Sequence, residues 1–282
     1  MQNQIKHKRT RGRIWLRTAI QIFFFGLIAA IAVNHTLAEE GFGALPIAFL
    51  PNASVHAVCP FGGVENIYYH LTTGGSLKKI TESSGMLMMI VFVMTLFLGP
   101  VFCGWVCPFG SIQEWFGKIG KRIFKRRFNR FIPYKFDKYL RYARYLVLAW
   151  VIYMTATTAT LFFADYDPYY LLFHFWTGEV AIGGLVFLGI TLLASLFVER
   201  PWCKYACPYG AVLGVFNLFS IFRIKRQEST CTHCKLCTRT CPMNIPVEQM
   251  ETVRDHQCIR CMECTSEAVC PVEDTVNYSV GK

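Results

Sequence analysis

Cysteines are the residues of this chain whose number and spacing could do chemistry, with 13 among 282 residues. Eight of them form two runs near the carboxyl end: Cys231, Cys234, Cys237 and Cys241, then Cys258, Cys261, Cys264 and Cys270. The first run, followed by a proline, has the C-x2-C-x2-C-x3-C-P spacing by which bacterial ferredoxins bind [4Fe–4S] clusters. The second run differs in its last gap, which is five residues long. The compact triplet lets one short loop hold three corners of a cubane.

The pairing of the two runs follows from the same spacing. In two-cluster ferredoxins the fourth cysteine of each run binds the other cluster. We therefore expect cluster one on Cys231, Cys234, Cys237 and Cys270, and cluster two on Cys258, Cys261, Cys264 and Cys241. Structural zinc is disfavoured because zinc sites more often use C-x2-C pairs with a long spacer. The sequence has no C-x-x-C-H motif, which excludes c-type haem.

Four further cysteines lie in an internal repeat whose two copies are one hundred residues apart. The copies contain Cys103-x3-Cys107-Pro and Cys203-x3-Cys207-Pro. On a helix, residues i and i+4 share a face, so each Cys-x3-Cys-Pro motif can direct both sulfurs to one partner. Together the four thiolates match the ligand count of one further [4Fe–4S] cluster, while a functional dithiol and a structural role are the alternatives. Cys59 is the thirteenth cysteine and belongs to none of these sets.

Four apolar runs relate these motifs to a membrane. The chain is 53% hydrophobic and only 17% charged, against about 25% charged residues in a soluble globular protein. The runs cover residues 18–38, 86–102, 145–164 and 180–198, and their interiors carry no Asp, Glu, Lys or Arg. Each approaches the ~20 residues by which a helix crosses a bilayer core, where the backbone must satisfy its own hydrogen bonds. The sequence therefore predicts four transmembrane helices rather than a cytosolic enzyme.

The placement of the basic residues predicts the orientation of these helices. Lysines and arginines concentrate before the first run, between the second and third, and after the fourth, while the other two connections hold only Lys78 and Lys79. The positive-inside rule then puts both termini and the middle loop in the cytoplasm, with the chain in the inner membrane. Basic and apolar residues share helical spacing over 115–130, which predicts a helix lying against anionic membrane lipid rather than nucleic acid.

These features together predict an all-α integral membrane protein with a small C-terminal α+β domain of the bacterial ferredoxin type. The expected segments are a cytoplasmic N-terminus (1–17), a first hairpin (18–110), a basic amphipathic linker (111–144), a second hairpin (145–226) and a two-cluster ferredoxin-like domain (227–282). Both hairpins end in a Cys-x3-Cys-Pro motif and run in the same direction. This arrangement favours a pseudo-twofold axis along the membrane normal.

Two Cys-x3-Cys-Pro motifs after paired transmembrane hairpins, followed by two ferredoxin runs, resemble the membrane polyferredoxin family. This family includes the NapH-type quinol dehydrogenase component of periplasmic nitrate reduction, and the C-terminal part of the regulatory flavoprotein NosR is similar. The resemblance extends from the first apolar run to Pro271 and carries over only the twelve motif cysteines. It implies electron transfer between the quinone pool and other redox subunits of a heteromeric complex.

A quinone site near the inner leaflet is the first hypothesis for how the chain would meet the quinone pool. All twelve motif cysteines fall on the predicted cytoplasmic side, and no apolar run offers a haem-ligand histidine in its middle. The expected lining residues are Trp105, Trp202, Lys204 and Tyr205. Glu114 and Glu199 could move protons, although solvated interfacial charges are the simpler interpretation of both.

Two alternatives stay open from the sequence. Quinol could instead bind on the outer side, where His70, Asp165, Asp167 and His174 could accept its protons by general-base chemistry. The chain could also be a membrane ferredoxin that supplies electrons for metalloenzyme assembly or maturation. In that case the two Cys-x3-Cys-Pro pairs would act as reductant thiols, and the ferredoxin clusters would not respond rapidly to quinol.

Overall fold

The computed structural model describes residues 2–39, 82–158, 167–175 and 182–280, so that Cys59, His70 and Asp165 lie outside the described residues. The helices are α1 (Gln2–Glu39), α2 (Glu82–Leu98), α3 (Pro108–Phe124), α4 (Tyr134–Leu140), α5 (Ala143–Thr158), α6 (Pro168–His174), α7 (Ile182–Ala194), α8 (Pro201–Tyr205), α9 (Pro208–Asn217) and α10 (Leu236–Thr240). A π-helical turn covers Phe102–Val106, and 3-10 turns cover Lys125–Arg127 and Val247–Gln249. The strands are β1 (Phe222–Arg226) and β2 (Val276–Val280).

Helix α1 is the one helix of the described residues that is both long and apolar enough to cross a membrane, over Trp15–Asn34. Two other apolar helical segments are shorter, Gly85–Leu98 and Ile182–Ala194. Helix α2 ends before the predicted limit at residue 102, because Gly99 takes a left-handed φ of 77° and a proline follows it. The described residues thus confirm a mainly helical chain with one apolar span, and the other three spans stay predictions.

Large apolar side chains lie on the outer faces of these helices. On α2 the side chains of Met86, Met89 and Phe97 are more than half exposed, as are those of Ile182 and Leu193 on α7. A water-soluble surface rarely shows so many exposed apolar side chains side by side, whereas a helix that faces lipid does. The outer faces of α2 and α7 are therefore suited to an apolar solvent.

The two copies of the repeat pack against each other reciprocally. Helix α3, which follows the first motif, packs on α1 of its own copy and on α7 of the other. Helix α9, which follows the second motif, packs on α5 of its own copy and on α2 of the other. Their shared apolar core contains the fully buried Leu171 and Leu213, together with Phe109, Val151 and Phe173. If a twofold axis relates the two copies, the contact of α3 with α7 must be matched by a contact of α9 with α2, as is found.

A separate small core forms at the carboxyl end. Strands β1 and β2 make a two-stranded antiparallel sheet in which Phe222 pairs with Val280 and Arg226 with Val276. The apolar core beneath the sheet includes Ile224 and several of the cysteines. The expected start of this domain was residue 227. Strand β1 ends just before it and pairs with β2, so the C-terminal unit begins earlier, at Phe222. This C-terminal unit combines a sheet with the short helix α10, and its likeness to ferredoxin stays a prediction.

Candidate metal centres

One cavity of the C-terminal unit is lined by four cysteines: Cys241, Cys258, Cys261 and Cys264. The other lining residues are apolar and include Ile224, Met243 and Val253. These four cysteines are the set that the crossed pairing of the two runs predicts for cluster two. The structure therefore brings this set together, in the apolar surroundings that shield an iron–sulfur cluster from water.

The four thiols at this cavity are close enough to influence one another. Burial, with the neighbouring Cys258, raises the pKa of Cys241 to about 12. Burial and the neighbouring Cys261 and Cys241 also raise the pKa of Cys264 well above its ordinary value. Thiolates this close repel one another, so all four ionise together only around a positively charged metal group. Among the described residues, no three Cys, His, Asp or Glu side chains are placed to bind one metal ion. A cubane does not need such a group, because each of its four thiolates binds a different iron atom.

Arg260 places a positive charge beside this cavity. Its side chain is fully buried, with Nη1 donating to Sγ of Cys258 at 3.6 Å and Nη2 donating to Oγ of Ser220 at 2.9 Å. Neither of these partners is a carboxylate, and Nε has no hydrogen-bond partner among the described residues. A buried cation is costly unless an anionic group lies close to it. The surroundings of Arg260 therefore fit a negatively charged cluster on these cysteines.

The cysteines predicted for cluster one lie nearer the surface. Burial raises the pKa of Cys237, and the neighbouring Cys231 and Cys234 raise it further. Cys234 is exposed, whereas Cys231 is half-buried. Cys270 packs against the same apolar core, and its Sγ donates to the carbonyl oxygen of Val272 at 3.3 Å. The structure thus groups three of the four cysteines and places the fourth against the core that they share.

The two Cys-x3-Cys-Pro motifs adopt related local structures. Cys103 lies in the π-helical turn and Cys203 in α8, and Cys107 and Cys207 are extended residues directly before α3 and α9. The prolines that begin α3 and α9 suit a first helical position, where an N–H group would have no partner. The remaining N–H groups of the first turn point toward the preceding sulfur, and N–H of Gly210 donates to Sγ of Cys207 at 3.3 Å.

The structure brings the four cysteines of these motifs to one place, where each is half-buried. Gln113 of α3 donates from Nε2 to Sγ of Cys203 at 3.4 Å, which joins a helix of the first copy to the motif of the second. Burial and the neighbouring Cys203 raise the pKa of Cys107 to about 12. The pKa of Cys207 rises well above its ordinary value because of burial and its three neighbours from the motifs. Four thiols with N–H donors to two of their sulfurs fit a shared [4Fe–4S] cluster.

The first motif also contacts the loop that carries the cluster-two cysteines. Nε1 of Trp105 donates to the carbonyl oxygen of Arg260 at 3.0 Å. Gly104 fits here because a Cβ atom at this position would lie only 2.5 Å from the carbonyl oxygen of Ile259. Cys103 packs against both the helical core and the C-terminal core. The motif cysteines and the cluster-two cysteines are therefore neighbours inside the protein.

Glu114 corrects the prediction of solvated charges at the membrane surface. It is only 2% exposed, and its carboxylate lies 2.5 Å from Arg17 and 2.7 Å from Arg200. Burial alone would raise the pKa of Glu114, but Arg200 and Arg17 lower it to about 2. The interpretation of Glu114 as a solvated interfacial charge is therefore wrong, because two buried guanidinium groups take the place of water.

Lys204 and Tyr205, expected to line a quinone site, both bind Asp137. Nζ of the fully buried Lys204 lies 2.8 Å from Oδ1 of Asp137, and the Tyr205 hydroxyl donates to the same oxygen at 2.5 Å. Arg141 binds the other carboxylate oxygen. Burial alone would raise the pKa of Asp137, but Lys204 and its other partners hold it below its usual range. These contacts attach the linker helix α4 to the second motif.

Two other residues predicted for the inner side lie close to the second motif. Trp202 is 8% exposed and packs edge-on against Phe187 with ring centroids 5.5 Å apart. Glu199 lies next to Arg200, yet burial and the nearby Glu263 raise its pKa to about 8. Glu199 is therefore largely protonated at neutral pH and can exchange a proton there.

Of the residues predicted for the outer side, Asp167 and His174 lie in the described part of the chain. Asp167 caps α6 by accepting from N–H of Tyr169 at 3.2 Å, and burial raises its pKa to about 7. His174 is 8% exposed and stacks on Tyr170 with ring centroids 3.9 Å apart. Asp167 therefore caps α6 and His174 packs within it, and the outer quinol site stays a prediction.

Three side chains that contact the cysteines were not predicted from the sequence. Arg260 lies between two predicted ligands, so its position next to them was the available signal. Arg200 was counted among the positive-inside charges, although it is fully buried. Gln113 carries no local signal, because its sulfur partner belongs to the other copy of the repeat.

Comparison with known proteins points to the same parts of the chain. A family model described as a 4Fe-4S binding domain matches residues 83–127 and 180–227. Each of these stretches contains one Cys-x3-Cys-Pro motif. The match therefore supports [4Fe–4S] binding and falls on the two copies of the repeat.

Several relatives match over much of the chain. It is 33% identical to YccM of Escherichia coli, named as an electron transport protein, over 79% of this chain and 63% of that relative. It is 31% identical to the uncharacterized protein MJ0750 of Methanocaldococcus jannaschii, over 79% of this chain and 86% of the relative. It is 29% identical to the ferredoxin-type protein NapH of Escherichia coli, with 68% of each chain covered. No solved structure matches the chain.

Proposed function

The chain belongs to the NapH-type membrane polyferredoxin family, and we propose that it exchanges electrons between the quinone pool and a partner redox protein. Its place among iron–sulfur electron-transport proteins rests on the 4Fe-4S model and on its relatives. The proposal adds the quinone pool as one side of the exchange and other redox subunits as the other. It also places the cysteine sites at the cytoplasmic face of the inner membrane, with both termini on that side.

Three sets of four cysteines would hold three [4Fe–4S] clusters. Cluster one would use Cys231, Cys234, Cys237 and Cys270, and cluster two would use Cys241, Cys258, Cys261 and Cys264. Cluster three would use the motif cysteines Cys103, Cys107, Cys203 and Cys207. When bound, such clusters accept and release single electrons at potentials that their surroundings set.

The contact between the first motif and the cluster-two loop is the observation that carries this proposal. Gly104 and Trp105 touch that loop directly, and Cys103 packs against both cores. In the C-terminal unit Cys258 and Cys264 of the second run are buried, whereas Cys234 of the first run is exposed. We infer an order from the motif cysteines through cluster two to the exposed cysteine of cluster one. A protein that connects a lipid-soluble carrier to a water-soluble partner needs this order.

Exposed apolar side chains support the proposed membrane location. The outer faces of α2 and α7 are apolar, and α1 is long enough to span a bilayer. On α3, Ile119 and Ile123 are 50% and 61% exposed, beside the exposed Lys121 and Arg122. A helix with this mixed face suits the boundary between lipid headgroups and acyl chains. We infer four membrane spans, with α3 lying along the inner leaflet.

The proposed quinone site lies near cluster three at the inner leaflet. Lys204 and Tyr205 are held by Asp137, so we assign proton transfer on this side to Glu199. Its pKa of about 8 suits a group that accepts a proton from quinol near neutral pH. Glu199 lies four residues before Cys203, which keeps this proton exchange close to cluster three.

Reduction by menaquinol tests the proposed function. The full-length protein would be purified anaerobically, and EPR spectra would be recorded before and after menaquinol is added. We expect signals of reduced [4Fe–4S] clusters, and we expect the Cys103→Ala/Cys203→Ala variant to lose this response while retaining clusters one and two. Cys59→Ala, which changes the cysteine outside all three sets, is the matched control. Intact clusters that menaquinol does not reduce would favour the alternative role, which is the supply of electrons for metalloenzyme assembly or maturation.

A further inference from the structure

Three charged side chains are buried between the proposed sites of clusters two and three. They are Arg17 of α1, Glu114 of α3 and Arg200, which precedes α8, and they are 6%, 2% and 0% exposed. Oε2 of Glu114 accepts hydrogen bonds from Nη2 of Arg17 at 2.5 Å and from Nη2 of Arg200 at 2.7 Å. One carboxylate oxygen thus joins two guanidinium groups from distant parts of the chain, and we call this set the Arg17–Glu114–Arg200 triad.

Arg200 faces the proposed site of cluster three. Its Nη1 donates to the carbonyl oxygen of Cys103 at 2.6 Å, and its charge interacts with Cys203 and Cys107. The guanidinium packs against Gly110, where a Cβ atom would lie only 2.7 Å from Nη1. Its Nε is buried and has no hydrogen-bond partner among the described residues. A guanidinium group with a free donor therefore flanks three of the four motif cysteines.

Arg17 faces the proposed site of cluster two. Its Nε donates to the carbonyl oxygen of Gly104 at 3.1 Å, within the first motif. Its Nη1 binds Oε1 of Glu263 at 2.5 Å, on the loop between Cys261 and Cys264. Arg17 is thus the member of the triad that reaches the cluster-two loop, whereas Arg200 reaches the motif cysteines.

The triad contains more positive than negative charge. Two guanidinium groups share the buried carboxylate of Glu114. With Glu263, 2.5 Å from Arg17, and Lys118, 3.4 Å from Oε1 of Glu114, three cations face two carboxylates. A buried excess of positive charge is stable only beside a compensating anion. A cubane with four thiolate ligands carries net negative charge, and one such site lies on each side of the triad.

We propose that Arg200 and Arg17 separately raise the reduction potentials of clusters three and two, and that Glu114 limits both effects. This inference rests on the proposed function, because it needs a cluster on the Cys-x3-Cys-Pro motifs. Reduction adds one negative charge, which a nearby buried cation stabilises and a nearby carboxylate destabilises. The three residues act on the clusters through charge and do not ligate iron.

EPR-monitored redox titration of the anaerobically purified full-length protein tests the inference. The variants are Arg200→Gln, Arg17→Gln, Glu114→Gln and the double variant Glu114→Gln/Arg200→Gln. We expect Arg200→Gln to lower the midpoint potential of cluster three more than that of cluster two, and Arg17→Gln to do the reverse. Glu114→Gln should raise both midpoints, and the double variant should return cluster three toward the wild-type value. Arg122→Gln, at an exposed position of α3, is the matched control and should shift neither midpoint.

The direction of the shifts separates an electrostatic role from a structural one. If Arg200→Gln and Glu114→Gln move the cluster-three midpoint in the same direction, the inference is overturned. If Arg200→Gln does not bind iron, Arg200→Lys and Glu114→Gln test the electrostatic role of the triad. Arg200→Lys should keep the midpoint potential of cluster three, and Glu114→Gln should raise it. Iron analysis of the wild type separates this test from the proposed function. If the wild type contains only clusters one and two, cluster three and the role of Arg200 are both contradicted. The midpoint potential of cluster two in Arg17→Gln then still decides the role of Arg17.

Discussion

Nε1 of Trp105 donates a 3.0 Å hydrogen bond to the carbonyl oxygen of Arg260, although the two residues are 155 positions apart. The bond joins the first Cys-x3-Cys-Pro motif to the loop between Cys258 and Cys261. The side chain of the same arginine donates to Sγ of Cys258 at 3.6 Å. Arg260 therefore contacts the first motif through its backbone and the cluster-two cysteines through its side chain. The predictions below depend on this close packing of the two cysteine sites.

Substitution of Gly104 by alanine is expected to separate the two sites. A Cβ atom there would lie 2.5 Å from the carbonyl oxygen of Ile259, so one of the two backbones must move. We expect a loss of about 1–3 kcal/mol in stability, as for other overpacked positions, and slower reduction of cluster two by menaquinol in freeze-quench EPR. Gly189→Ala, at a helical position with open space around it, is the control and should leave the rate unchanged. A Gly104→Ala protein with the wild-type rate would show that this contact does not matter for electron transfer.

The proposed proton exchange at Glu199 predicts a pH dependence. With a pKa of about 8, Glu199 is mostly protonated at pH 7 and mostly ionised at pH 9. Only the ionised form can accept a proton from quinol, so the initial rate of menaquinol-driven reduction should rise about tenfold between these pH values. Glu199→Gln should be slow at both. A rate in the glutamine variant that keeps the wild-type pH profile would assign the titration to another group.

Removal of the Asp137 charge is expected to destabilise the protein. Asp137→Asn leaves Lys204 and Arg141 buried without their carboxylate, at a cost of about 3–5 kcal/mol. Because the folded-state pKa of Asp137 is lowered, its contribution is complete above its unfolded pKa near 4 and is lost as the pH falls further. Thermal unfolding in detergent should therefore show a constant gap between variant and wild type from about pH 8 to pH 5.

The matched control for this prediction is Asp274→Asn, at an exposed position whose left-handed backbone asparagine also tolerates. It should unfold at the wild-type temperature. An Asp137→Asn protein as stable as this control would mean that the buried ion pairs contribute nothing net to stability.

The crossed pairing of the ferredoxin runs predicts which cluster each fourth cysteine serves. Cys241 lines the cavity with the second run, so Cys241→Ala should impair cluster two and leave cluster one intact. Cys270→Ala should do the opposite. EPR spectra of the two reduced variants distinguish these outcomes, because each should lose a different component of the wild-type spectrum. Loss of the same component in both variants would contradict the crossed assignment.

Cysteine spacing predicted the four thiols that line the cavity of the C-terminal unit. The loop from Cys258 to Cys264 is short, and Cys241 joins it at the predicted cavity because the two runs fold over one apolar core. The internal repeat was equally informative, because the identical spacing in its two copies led us to expect that Cys103 and Cys203 lie close together. Motifs with a fixed spacing bring their own cysteines close together, so these contacts can be predicted from the local sequence.

The buried charges could not be predicted in the same way. Glu114 is 97 positions from Arg17 and 86 from Arg200, so no local pattern relates them. In the sequence both arginines count as positive-inside charges, and only the packing of α1, α3 and the second motif shows that they are buried. The end of α2 was missed for a similar reason. Gly99 leaves the helix where the side chain of Arg260, far along the chain, packs against it.

Iron and acid-labile sulfide per chain, measured on anaerobically purified protein, test the central claim most directly. Three cubanes require about twelve iron atoms in the wild type, and the Cys103→Ala/Cys203→Ala variant should retain about eight. Equal iron content of about eight in both proteins, or zinc in place of iron, would contradict the account.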